Sequence, residues 1–258
     1  MPLALRRAAE RKAMSAPVVF LDEVDSTNTY VKTHFDELPD GALVSASCQS
    51  AGRGRLNRRW QSPRGVNFYG TAALKNCPDP FRATIALSLA TLDALRELVP
   101  ELPAYIKWPN DIYVGHAKLA GMLCESVTGP GNAIRGIAAG IGVNLNMCRA
   151  DLAAIDQAAT GVWVETGIEI NPSFFTKKLA FYLERRYINY SKSPNELFAE
   201  WKRNNRLIGK TLRVEGIRGA KQGIFEDVAE TGEMLLRTSE GLEKVNSGDV
   251  MIDKQCLT

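Results

Sequence analysis

The segment SAGRGRLNRRW, residues 50–60, crowds four arginines, two glycines and a tryptophan into one short stretch directly after an apolar run. Gly52 and Gly54 open backbone conformations closed to other residues, so the chain can bend tightly around a ligand. Arg53, Arg55, Arg58 and Arg59 carry planar, multi-donor forks that match carboxylate and phosphate oxygens. The segment is no Walker loop, for it lacks the closing Gly-Lys-Ser/Thr. Nor does it repeat the arginine–glycine pairs of a disordered RNA binder. Two readings stand at this level: a solvated basic loop, or a glycine-hinged lid, closed by Trp60, over one ligand.

The flanks place this loop within alternating strands and helices. APVVFLDEV (16–24) reads as a strand, and DSTNTYVKTHF after it as a helix capped by Asp25 or Ser26. GALVSASC (41–48) and GVNFYGTAAL (65–74) read as the strands on either side of the loop. RATIALSLATLDALRELV (82–99) has apolar residues at helical spacing and stops before Pro100, which predicts a buried helix. AYIKWP, IYV and KLAGMLCES give three short strands, and AIRGIAAGIGVNLN (133–146) another. NPSFFTKKLAFYLERRYINY (171–190) opens with Pro172 behind a capping Asn171 and reads as an amphipathic helix; PNELFAEWKRNN reads as the next. From Gly209 onward, short alternating runs separated by ETGE, SEG and NSGD predict a small antiparallel, barrel-like module of about five strands. The division is expected near Arg206 to Gly209, with 1–15 an N-terminal extension, 16–206 the larger domain and 209–258 the smaller.

Three further segments carry polar chemistry. In KWPNDIYV (107–114) the Trp108-Pro109 pair predicts a rigid extended approach to a turn at Asn110-Asp111, and an Asx turn alone would explain it. Four residues on, Lys118 opens KLAG, where Gly121 admits close approach. DSTN (25–28) is explained as a helix cap. GIGVN (140–144) leaves one face of a strand without side chains, which tight packing alone would explain.

Composition excludes several functions. The 258 residues hold 45% hydrophobic side chains, enough for a sizeable core, and a formal net charge of only +3. A nucleic-acid reader would carry a stronger basic excess or a basic face. The five cysteines have no CxxC spacing and an odd total, and only His34 and His116 are present. That pattern speaks against a disulfide framework and a zinc site and fits a reducing cytosol. No segment has the length and apolarity of a membrane span.

Taken together and in this order, DSTN, Gln49 with AGRGR..R.W, KWPND, KLAG and GxGxN resemble the biotin protein ligases. The resemblance extends over about residues 18 to 250. It implies an α+β fold, a mixed β-sheet flanked by helices as in the class II aminoacyl-tRNA synthetases, followed by a small C-terminal SH3-like β-barrel. It also implies two steps: biotin and MgATP give biotinyl-5′-AMP and pyrophosphate, then a lysine of a biotin carboxyl carrier domain takes the biotinyl group. By resemblance, Ser26, Thr27, Asn28, Gln49, Gly52, Arg53, Lys118, Gly121, Gly140 and Gly142 form the biotin site. Arg55, Arg58, Trp60, Asn110, Asn144 and Trp163 form the adenylate site, with Lys118, Arg53, Arg55 and Arg58 as charge-stabilising catalytic groups; no metal ligand is assigned. The partner it implies is the carrier domain of a biotin-dependent carboxylase in the cytoplasm. Relatives occur both as monomers and as edge-paired homodimers. Some members carry a helix-turn-helix domain that reads DNA, and the roughly fifteen residues before the first strand are too few for one. The loop 52–60 is expected to be mobile without ligand. Leu56 and Asn57 depart from the family's basic or glycine residues there; losing a glycine at Asn57 is expected to stiffen the loop, although asparagine tolerates left-handed conformations better than most residues.

Overall fold

A computed structural model describes residues 17–216, 219–246 and 249–251; the expected N-terminal extension lies outside them. Seven strands, β1 (Val18–Val24), β2 (Leu43–Gln49), β3 (Phe68–Leu74), β4 (Tyr105–Lys107), β5 (Asp111–Val114), β6 (Ala117–Thr128) and β7 (Ile134–Val143), form one sheet in the order β1-β2-β3-β7-β6-β5-β4. β1 and β2 run parallel because α1 (Thr27–Thr33) lies in the crossover between them; every other pair is antiparallel. The sheet is therefore mixed, as the resemblance implies.

Strand alternation sorts the sheet's two faces. Leu43, Ala72, Leu74, Ala139 and Ile141 pack with α2 (Pro80–Leu98), α5 (Pro172–Lys192) and α6 (Pro194–Arg203) in the main core. Their neighbours one residue along, Val44, Ala73 and Ala138, pack instead with Val31 and Phe35 around α1. Buried on both faces, these strands read as nearly continuous apolar runs. α2 begins at Pro80 behind Asp79, whose side chain accepts from Arg82 N at 2.9 Å. Its buried hydroxyls are satisfied within the helix: Ser88 donates to Thr84 O at 2.7 Å and Thr91 to Leu87 O at 2.7 Å. Asn171 caps α5 as the sequence predicts, accepting from Ser173 N and Phe174 N. Between these helices Arg186 bridges Asp93 and Glu200, with all three side chains at most 30% exposed. Two short helices, α3 (Arg149–Ala153) and α4 (Val162–Thr166), fall in a region with no clear sequence periodicity.

The smaller unit comprises β8 (Thr211–Gly216), β9 (Gly219–Val228), β10 (Met234–Thr238), β11 (Gly241–Val245) and β12 (Asp249–Met251). The expected five strands are present; among the described residues they form an antiparallel sheet with β11 and β12 at its edges, not closed into a barrel, and this arrangement fits the SH3-like module that the resemblance implies. Its apolar side chains Leu212, Phe225 and Leu236 join the main core. The turn at Trp108–Asn110 differs from the extended approach expected. The Trp108–Pro109 peptide is cis, an arrangement open to a tertiary amide. Trp108 is buried edge-on against Phe225 and donates Nε1–H to Gly232 O at 2.9 Å.

Candidate active site

The predicted residues converge on the α1 face of the sheet, at the end where β6 and β7 carry glycine. Gly121 and Gly142 are register partners across these strands, and Leu123 faces Gly140. Lys118 reaches this face through a β-bulge. Register shifts between Ile112 and Tyr113, so Ala120 pairs Ile112, Lys118 pairs Tyr113, and Leu119 is the extra residue on β6. Simple alternation from Gly121 would turn Lys118 to the opposite face; the bulge re-aims it. Its Nζ lies 2.8 Å from Asp111 Oδ1, both side chains being 14% exposed. That oxygen receives no well-aimed hydrogen bond, so the pair is held by charge.

The arginine segment returns over this floor as a hairpin. Arg53 and Arg59 form a bridge pair, Gly54 N donates to Arg58 O at 2.7 Å, and Trp60 N donates to Gly52 O at 3.0 Å. A short 3-10 turn, Arg55–Asn57, makes the tip. The left-handed residue there is Leu56, at φ 54° and ψ 37°, rather than Asn57. Arg55 Nη1 donates to Asn110 Oδ1 at 2.8 Å, and Asn110 Nδ2 in turn donates to Met122 O at 2.6 Å. Trp60 lies flat on the glycines. A Cβ on Gly142 would stand 2.3 Å from its indole, and one on Gly121 would stand 3.1 Å from it. The Trp60 Nε1–H is buried without an acceptor, and Lys118 Nζ is 5.5 Å from the ring centre.

The DSTN and Gln49 side chains form a second polar cluster. Gln49 Oε1 accepts from Thr27 N at 2.9 Å and lies 3.2 Å from Thr27 Oγ1; its Nε2 donates to Ser62 Oγ at 3.0 Å. Ser26 occupies the N-cap position, yet neither expected residue caps α1 through its side chain. Gln49 takes the first free N–H instead, and Asp25 accepts from Ser26 N at 2.6 Å. Thr71 Oγ1 donates to Asn28 Oδ1 at 2.6 Å and lies 2.8 Å from Thr27 Oγ1. Asn28 Oδ1 fills the space that a Cβ on Gly140 would need, at 2.0 Å. Its Nδ2 donates to Leu123 O and to Glu125 Oε2.

Glu125, which the sequence reading did not single out, ties this cluster to the loop. Its carboxylate accepts both Arg53 terminal nitrogens, at 3.3 and 2.8 Å, and Lys32 Nζ at 3.3 Å. Burial alone would raise its pKa, but the Asn28 amide, Arg53 and Lys32 outweigh burial and hold the carboxyl below its ordinary range.

Arg53, Arg55, Arg58, Trp60, Asn110, Asp111, Lys118 and Gly121 line one narrow cleft, with Lys107 and Gln157 also at its wall. Its volume of about 80 Å³ is small beside the roughly 300–1,000 Å³ of ordinary ligand clefts, because the hairpin and Trp60 occupy the floor. Ser26, Thr27, Asn28, Gln49, Gly52, Gly140 and Gly142 lie outside that lining, beneath or beside the hairpin, and of the residues assigned to the adenylate Asn144 and Trp163 also stand apart from it. Asn144 is 3% exposed and donates Nδ2–H to Thr160 O at 3.0 Å, so in this structure it fastens the segment before α4. Trp163, on α4, is 43% exposed. Asp111 was legible within KWPND, whereas Ser62, Thr71 and Glu125 carry no local motif, and only the pairing of β6 with β7 brings Glu125 to Asn28. Among the described residues, no group of three or more His, Cys, Asp or Glu side chains is arranged to hold a metal ion. No described helix is long and apolar enough to cross a membrane.

Comparison with known proteins adds sequence and structural relatives. Residues 20–144 match the biotin/lipoate A/B protein ligase family, and residues 207–252 match the biotin protein ligase C-terminal domain. The biotin–[acetyl-CoA-carboxylase] ligase of Paracoccus denitrificans is 32% identical over 240 residues, which cover 89% of this chain and 98% of that protein. The bifunctional ligase/repressor BirA of Salmonella typhimurium is 30% identical over 247 residues, 92% of this chain and 75% of its own length. The solved structure of the Aquifex aeolicus biotin protein ligase in complex with biotin and ATP superposes with a TM-score of 0.76 at 26% identity. That match covers 91% of this chain and 97% of the other.

Proposed function

The chain belongs to the biotin protein ligase family, and on that premise we propose that it activates biotin with MgATP and transfers the biotinyl group to a lysine of a biotin carboxyl carrier domain. The observation that carries this reading is the convergence of Lys118, Arg53, Arg55 and Arg58 beside a glycine floor, next to the neutral polar cluster of Thr27, Asn28 and Gln49. Biotin's ureido ring is uncharged but has donors and an acceptor that must be paired when buried. Ser26, Thr27, Asn28 and Gln49, with the backbone beside Gly140 and Gly142, offer such partners.

In the first step a carboxylate oxygen of biotin attacks the α-phosphorus. The bond to the bridging oxygen breaks, and pyrophosphate leaves with the electron pair. The lysine and arginines lower this barrier by meeting charge as it gathers between carboxylate and phosphate, without taking or giving a proton. Mg2+ arrives on the nucleotide: magnesium usually keeps waters and binds substrate phosphates, so a dedicated protein cage is not required. In the second step the carrier's neutral lysine amine attacks the acyl carbon, AMP departs, and the amine's extra proton goes to water. Asn110 faces the adenylate, and Asn144 and Trp163 enter the reading as ribose and adenine contacts once the loops around them rearrange.

The closed hairpin has a role between the steps. An acyl-adenylate is a mixed anhydride that water destroys, and a lid lined by Trp60 excludes water until the carrier arrives. Because Trp60 fills the floor, the lid must open for ligand to enter. We therefore expect trypsin to cut at the loop arginines more slowly with biotin plus MgATP than without them; equal rates would count against the lid. In the domain reading, 16–206 carries this chemistry and 209–258 buttresses the Trp108 turn. If two copies pair, the edge of β1, unpaired on one side among the described residues, is one surface open to them. The four cysteines among the described residues are free of disulfides, which suits a cytoplasmic setting.

The deciding experiment is mass spectrometry of a carrier domain after incubation with biotin, MgATP and this protein. A biotinyl mass increase on one lysine is expected. Pyrophosphate exchange that depends on lipoate and ignores biotin would overturn the assignment.

A further inference from the structure

Both arms of the hairpin are anchored in the Thr27–Asn28–Gln49 cluster. The returning arm is held through Ser62, which takes Gln49 Nε2–H at 3.0 Å and donates to Trp60 O at 3.2 Å. The outgoing arm is held through Glu125, whose carboxylate receives both the Asn28 amide and the Arg53 fork. Gly52 sits where the arms cross: a Cβ there would lie 2.5 Å from Trp60 O and 2.7 Å from Ser62 Oγ.

We propose that Glu125 is a positioning residue of the ligase reaction, a latch that closes the outgoing arm of the loop by pairing with Arg53 while Asn28 holds the carboxylate in place. The inference rests on the ligase reading above. The latch has the chemistry of a reversible clasp. A two-nitrogen guanidinium–carboxylate pair has fixed geometry, and its 41% and 23% side-chain exposures keep it within reach of water and able to part. The groups facing the carboxylate are all donors: Asn28 and Lys32 on α1, and Arg53 on the loop. Glutamine at this position would set its own N–H2 among them, keeping shape but losing the pair. Asn28 gives the latch its link to the ligand pocket. The same amide group that supports Glu125 takes the Thr71 hydroxyl on its other end, and that hydroxyl lies against Thr27.

The test compares wild type, Glu125→Gln and Glu125→Asp in the full chain, each checked for an unchanged thermal midpoint. Biotinyl-5′-AMP is formed from biotin and MgATP, and two rates are read without carrier: escape of the adenylate into solution, and trypsin cleavage at the loop arginines. For Glu125→Gln we expect both to rise about tenfold, with pyrophosphate exchange still dependent on biotin, and for Glu125→Asp a partial return toward wild type. Retained adenylate and unchanged cleavage in Glu125→Gln would overturn the latch while leaving the ligase reading intact. Absence of biotin-dependent exchange in wild type would overturn the ligase reading itself. A fall in thermal midpoint with no change in either rate at matched folded fraction assigns Glu125 to stability alone and also overturns the proposal.

Discussion

On the α2 face of the large sheet, Leu43, Ala72, Ala139 and Ile141 are covered by three helices. On the α1 face, one residue further along the same strands, stand Thr71, Gly140 and Gly142, with Gly121 beside them on β6. Side chains fill the first face from within the strands. The glycine end of the second is left bare, so groups from elsewhere, Asn28 and Trp60, can come down onto it. The helix-covered face should therefore respond to removal of atoms through stability, and the glycine face to addition of atoms through ligand chemistry.

The largest expected effect breaks the helix layer. Trp201 on α6 is fully buried and meets Phe81 edge-on at 5.5 Å. Trp201→Ala should cost about 3–5 kcal/mol in a urea titration, with adenylate formation per folded molecule close to wild type; a large loss of specific activity would blur the contrast between faces. Next comes the glycine face. Lys118→Ala should lower the adenylation rate about 10²–10³-fold, and it should also lower the thermal midpoint, since it leaves the buried Asp111 Oδ1 without its countercharge; the rate is therefore read per folded molecule. Gly142→Ala should act in the middle of the range. A methyl group there meets the Trp60 indole, and overpacking of this kind costs about 1–3 kcal/mol. Here the cost falls on the closed loop, so faster trypsin cleavage of 52–60 with an unchanged urea midpoint is the expected signature. The smallest effect is in pH. Because the folded Glu125 carboxyl is held below its ordinary value, its contribution is fully present above that value and fades as pH falls through the lowered one. Trp60 fluorescence should then shift in the acid range, below the ordinary glutamate value, and the shift should be absent from Glu125→Gln.

Much of the helix-covered face is readable because its rules are local and periodic. The spacing of α2 and the Asn171–Pro172 start of α5 can both be read from a few adjacent residues, as can the alternate glycines at 140 and 142 on the opposite face. The ends of α2 fall within two residues of the reading. The site is readable in its motifs and opaque in its wiring. Nothing in the order of residues says that β6 bulges at Leu119, and without that bulge Lys118 would be assigned to the wrong face. Gln49 replaces the expected helix cap through a contact 22 residues away, and Glu125 reaches Asn28 across 97. The five-residue helices α3 and α4 are too short to show a period. The cis form of the Trp108–Pro109 peptide likewise has no signature in the residues beside it.

Leu56 stands at the hairpin tip, exposed, in a left-handed conformation that costs an ordinary residue about 1–2 kcal/mol. That cost burdens the closed arrangement and is relieved when the tip relaxes, so it acts as a weak spring against closure. Asparagine at this position would slacken the spring and lengthen the time the intermediate is kept. On the lid reading, the same change is expected to slow the admission of fresh substrate, and a variant series at Leu56, read by adenylate escape and by turnover, tests that trade.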